Sequence, residues 1–87
     1  MNQVHDPLDV SVVTPQKILF QGKAESVIFP GEKGVFEVIQ HHKPILTRLI
    51  RGEVLIDGHP IRIQRGVVKV AMNAISAIVE TGSRDES

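Results

Sequence analysis

The sequence predicts an all-β domain, an antiparallel sandwich or barrel. Short apolar runs with a period of two recur at intervals of about 8–12 residues. Turn residues such as Thr14-Pro15, Pro30-Gly31 and Asp57-Gly58 stand between them. No long stretch carries the apolar stripe of an amphipathic helix.

Taken in order, Leu8, Val10 and Val12 alternate with Asp9 and Ser11, the pattern of a half-buried strand, stopped at Thr14-Pro15. Residues 17–20 form a second short extended run, closed by Gly22. Residues 26–29 form a third and residues 35–39 a fourth, with the Pro30-Gly31 turn between them. A turn through 41–44 leads to Ile45, Leu46 and Leu49, whose spacing fits a helical turn or an irregular strand equally well. Residues 53–56 and 61–64 flank Asp57-Gly58, a strong hairpin signal, because both central positions of the favoured turn need positive φ. Pro60 cannot donate to a ladder and belongs at an edge or a strand start. Residues 67–70 and 74–80 are the last pair, separated near Met72-Asn73, and the polar tail TGSRDES is expected to fray.

The 87 residues make one domain. A chain this short buries only about 60–65% of its unfolded surface, so the core is small. Aromatics are 3% of the sequence, all Phe, which leaves Val, Ile and Leu to fill that core. Without Trp or Tyr, the usual platforms for sugars and stacked bases are missing. Ten basic and ten acidic residues are interspersed, so no basic face points to nucleic acid. The absence of Cys favours a reducing cytoplasm, and the opening MNQVHDPLDV lacks the regions of a signal peptide. No apolar run approaches the roughly 20 residues of a membrane helix.

Catalytic patterns are missing. PGEKG has neither the spacing nor the hydroxyl of a phosphate loop, and no Ser sits in a Gly-x-Ser-x-Gly elbow. His41 and His42 are adjacent, so in an extended chain they point to opposite faces and rarely share one ion. His5 and His59 stand singly, and Glu32, Glu37, Glu53 and Asp57 show no acid–base spacing. Composition and spacing thus give a binding module rather than an enzyme, with no cofactor or metal expected. A free-standing sandwich for a small ligand or carbohydrate is one form of it, weakened by the scarcity of aromatics. A metal enzyme would need His41 or His42 to meet a distant carboxylate.

The order of the segments LDVSVVTPQKILFQG, FPGEKGVFEVIQHHKPILTRLIRGEV and RGVVKVAMNAISAIVE resembles the N-terminal β-sandwich domain of the epsilon subunit of bacterial F-type ATP synthase. Phe20-Gln21-Gly22 matches the family's Phe-x-Gly, and His42-Lys43-Pro44-Ile45-Leu46 its His-x-Pro-Leu-Leu. Leu49 to Gly52 matches Leu-x-x-Gly, and Gly66 with Val70 the Gly-x-x-x-Val before the last strand. The resemblance covers roughly residues 8–80. The chain departs at Glu37, where the family usually has Gly, at Gln40-His41, where it has Pro-Gly, and at Lys69, where it has an acid.

The resemblance implies a two-sheet sandwich over residues 1–80 and a polar tail over 81–87, without the C-terminal helical hairpin that usually follows. With the tail read as a natural end, hairpin-mediated inhibition of ATP hydrolysis and ATP binding are expected to be missing. The implied role is a non-catalytic rotor part that links the gamma subunit to the c-ring and transmits torque. Its implied place is peripheral, at the cytoplasmic face of the bacterial inner membrane. The implied c-ring-facing contacts are Glu32, Lys33, Val35, His41 and His42, and Thr14 falls on the gamma-facing side.

Overall fold

A computed structural model describes residues 6–82, which form nine strands and no helix. His5 and most of the polar tail lie outside the described residues. No helix among the described residues is long and apolar enough to cross a membrane.

The strands are β1 (Leu8–Val13), β2 (Ile18–Ala24), β3 (Ser26–Gly31), β4 (Gly34–Ile39), β5 (Ile45–Leu49), β6 (Gly52–Ile56), β7 (His59–Ile63), β8 (Arg65–Ala71) and β9 (Ala74–Glu80). They form one continuous sheet in the order β2-β1-β9-β8-β5-β3-β6-β7, with β4 on the other side of β3. The sheet folds over at the β5–β3 junction, where Gly31 pairs with Leu49. The larger half, β2-β1-β9-β8-β5, then faces the smaller, β4-β3-β6-β7. All pairings are antiparallel except β1 with β9, which run parallel.

One core lies between the halves. Val10, Ile75 and Val70 form one inward row of the larger half, and Val12, Ala77 and Val68 the next. The smaller half contributes Val27, Phe29, Val38, Val54, Ile56 and Ile63. Phe29 is fully buried and stacks on Phe36, its cross-strand partner, with ring centroids 5.5 Å apart. The alternation read in β1, β8 and β9 is the alternation between this core and the outside.

Two of the expected turns form. Asp57 (φ 48°) and Gly58 (φ 85°) take the positive φ that their hairpin requires, and Met72 (φ 51°) with Asn73 (φ 62°) does the same between β8 and β9. Pro60 sits in β7, an edge strand of the fold. Three elements differ from the sequence reading. Pro30-Gly31 is not a turn but the end of β3, paired with Val35 and Gly34, and the chain turns at Glu32-Lys33. Gly22 does not end β2 but pairs with Val10 inside the ladder, the Phe20 ring lying 3.5 Å from where its Cβ would be. The ambiguous segment at Ile45 is a strand, because β8 offers it five consecutive partners from Val70 to Gly66.

Pro30 lies within β3 without breaking it. Its carbonyl accepts the Ile50 N–H at 2.9 Å on the β5 side, where its missing N–H would also have pointed. The β3–β4 ladder therefore loses nothing to the proline.

Candidate functional site

Turns gather at two ends of the sandwich. At one end are Glu25, residues 40–43, Asp57-Gly58 and Met72-Asn73. The His41 N–H donates to Asn73 Oδ1 at 2.7 Å, and the Asp9 N–H donates to the Asn73 carbonyl at 2.9 Å. The Asp57 carboxylate accepts the N–H groups of Glu25 and Ser26, both at 3.0 Å, tying the β6–β7 turn to the start of β3. At the other end are residues 14–17, Glu32-Lys33, Ile50-Arg51 and Gln64. There the Glu32 N–H donates to the Arg48 carbonyl at 3.0 Å.

Glu32, Lys33 and Val35 therefore share an end with Thr14, whereas His41 and His42 occupy the opposite one. The six residues of β4 lie between, spanning roughly 17 Å at about 3.3 Å per residue. What joins the two sets is β4 itself. Its outward side chains, Val35, Glu37 and Ile39, make a stripe from the Glu32-Lys33 turn to the histidine loop.

His41 adopts φ 62°, a conformation that suits Gly, at the place where the resembling family carries Gly. The Asn73 side chain holds it there. His42 is half-buried and donates from Nδ1 to the Lys43 carbonyl at 2.7 Å. Among the described residues, no three His, Asp or Glu side chains are placed to hold a metal ion.

Thr14 is buried. Its Oγ1 accepts the N–H groups of Gln16 at 3.1 Å and Lys17 at 3.0 Å, so the hydroxyl closes the β1–β2 turn rather than facing outward. Thr14→Val should leave two amides unanswered and lower stability by about 1–2 kcal/mol, read from urea midpoints at an unchanged slope. A neutral result would remove the hydroxyl from the turn's support.

Beside Thr14 lies a surface that the sequence reading does not contain. Ile18 pairs with Val13, Val13 with Ile78, Ile78 with Val67, and Val67 with Arg48, one row across all five strands of the larger half. This row points outward: Ile18 is 60% exposed, Ile78 59% and Val67 45%. Next to it an open groove of about 640 Å³ runs between Pro15, Arg48, Arg65, Val67, Ile78 and Glu80. Arg65 and Glu80 pair at 2.7 Å on its rim. An apolar row on an outward sheet face, with Leu46 also exposed nearby, is suited to docking, not to chemistry.

Residues 7–85 match the family described as ATP synthase, Delta/Epsilon chain, beta-sandwich domain. The ATP synthase epsilon chain of Nitratiruptor sp. is 41% identical over 80 residues, covering 86% of this chain and 62% of that one. That of Leptospira interrogans serovar Lai is 34% identical over 83 residues, covering 91% and 65%. The Rickettsia prowazekii epsilon chain is 31% identical over 84 residues, covering 88% and 75%. The chain thus spans under two thirds of the first two relatives. In structure it is similar to a chain from the Tetrahymena thermophila mitochondrial ATP synthase central stalk and c-ring, with a TM-score of 0.73 over 98% of this chain and 77% of that one. At 12% identity, that likeness is one of fold.

Proposed function

The chain belongs to the ATP synthase delta/epsilon β-sandwich family, and from that premise we propose that it is a non-catalytic central-stalk subunit of an F-type ATP synthase. It links the gamma subunit to the c-ring and passes torque between them. It rides at the cytoplasmic face of the bacterial inner membrane, held there through the complex.

The observation that carries the reading is the outward apolar row of Ile18, half-buried Val13, Ile78 and Val67. It extends the gamma-facing side first placed at Thr14, which itself supports the adjoining turn. A rigid sheet that meets gamma through a row crossing five strands shares load over many ladder bonds, and no single loop has to bear it. The c-ring side is the β4 stripe, with Glu32, Lys33 and Val35 at one end and His41 and His42 at the other. Polar c-ring loops meeting such a mixed stripe would set register more than affinity.

The test is a tagged pull-down from gently solubilised native membranes, with intact masses of everything recovered. Gamma-, alpha- and beta-type ATPase subunits are expected with the native chain. The double variant Val67→Asp/Ile78→Asp, shown folded by circular dichroism, should lose at least about thirtyfold of the gamma recovered. Recovery of the chain alone or with unrelated proteins would sink the stalk role and restore the ligand-binding sandwich. Undiminished gamma recovery by the variant would move the gamma contact off this row.

A further inference from the structure

Among the described residues the fold has three edge strands, β2, β7 and β4, and they are not alike. Unpaired strand edges invite another chain, and proteins guard them with Lys, Pro, bulges or short length. β2 carries a bulge opposite Val12/Val13 and Lys23. β7 is five residues long and carries Pro60 and Arg62. β4, with the sequence GVFEVI, carries no Lys, Pro or bulge, and Glu37 is its one charge. Among the described residues it pairs only with β3.

The direction of its free groups follows from Pro30. The Pro30 carbonyl points to Ile50 and the Glu32 N–H points to Arg48, so both residues turn their main-chain groups towards β5. In an antiparallel ladder, the residue opposite such a position turns its own groups to the far side. Val35 is opposite Pro30, Glu37 opposite Ile28 and Ile39 opposite Ser26. The N–H and C=O groups of Val35, Glu37 and Ile39 therefore line the open edge.

The side chains of the same three residues stand free on the outer face. Val35 is 74% exposed and Ile39 51%, and between them Glu37 makes no ion pair among the described residues. Opposite residues in paired strands prefer apolar against apolar and acid against base.

We propose that β4 accepts an extended protein segment as an added strand, paired through the main chain at Val35, Glu37 and Ile39. The segment reads apolar-x-basic-x-apolar, its basic residue opposite Glu37 and its apolar residues opposite Val35 and Ile39. This site follows from the edge alone and does not require the stalk assignment.

The probe is the peptide acetyl-TVTKTVT-amide, added to the full 87-residue chain and followed by amide hydrogen exchange in NMR. Exchange at Val35, Glu37 and Ile39 should slow by on the order of tenfold at saturation, with no such change on β2 or β7. The same peptide N-methylated at its lysine and both valines should have no effect. Glu37→Lys, whose side chain faces solvent, should weaken the peptide about fivefold and favour one with Glu in place of the lysine. Unchanged exchange at millimolar peptide would overturn the proposal. So would protection elsewhere, equal action of the N-methylated peptide, or an unchanged charge preference in the variant. Because no ATP synthase subunit is present, such a failure leaves the stalk reading standing.

Discussion

Phe29→Ala is expected to lower the melting midpoint by at least about 12 °C, and it has the largest effect on stability foreseen for any single change. Phe29 is the largest of the fully buried side chains. Removing such a ring typically costs about 3–5 kcal/mol, and a domain of this size shifts by roughly 4–8 °C per kcal/mol. The loss is compounded because the ring also stacks on Phe36, which fastens β4 to β3. Small neighbours such as Val27 and Val38 have no reach to refill the space. Calorimetry on the two proteins decides it, and a fall below about 5 °C would mean that the core does not hinge on this ring.

The second large effect is predicted at Gly66, which sits between Val79 and Leu49 on the inward side of β8. A Cβ there would lie 2.7 Å from the Ile78 carbonyl oxygen and 2.8 Å from Val79 Cγ1. The carbonyl belongs to the β8–β9 ladder and cannot retreat without breaking it. Gly66→Val should therefore cost about 3 kcal/mol or more, the upper range for overfilled cores. Gly22→Ala is the fitting control, since its added carbon would meet only the Phe20 ring at an ordinary 3.5 Å. Urea unfolding should show the Gly66 variant strongly weakened and the Gly22 variant within about 0.5 kcal/mol of the parent. Equal midpoints for both would refute the close-approach account of Gly66.

Local signals in the sequence carried the strands and hairpins because the pleat and the turn each act over a few residues. Asp57-Gly58 announces its hairpin because that dipeptide readily takes the positive φ values the turn requires. β5 was undecided because Ile45, Leu46 and Leu49 suit two periods, and the choice is made by β8, some twenty positions away in the chain. Likewise Gly22 looks like a stop until its partner Val10 is known.

The candidate surfaces were legible only in part. The doublets Val12-Val13, Val67-Val68 and Ile78-Val79 do signal that one residue of each pair must face outward. That these outward residues align depends on β1 lying beside β9, a pairing that no local pattern encodes. The family resemblance brought the Glu32 turn and the histidine loop under one heading. Their separation to the two ends of β4, and Thr14's burial in its own turn, arise from long-range pairing that no local pattern carries.

The parallel pairing of β1 with β9 also governs how the domain comes into being. β9 is the middle of the larger half, holding β1 on one side and β8 on the other. On the ribosome, β1 and β2 emerge early but have no central strand to join until residue 80 has cleared the exit tunnel. The first-made hairpin must wait, with its apolar face uncovered, through the synthesis of nearly the whole domain. Closure over so long a loop makes folding slow relative to a helical chain of equal length. During that interval β1 and β2 are natural clients for chaperones that bind exposed apolar strands.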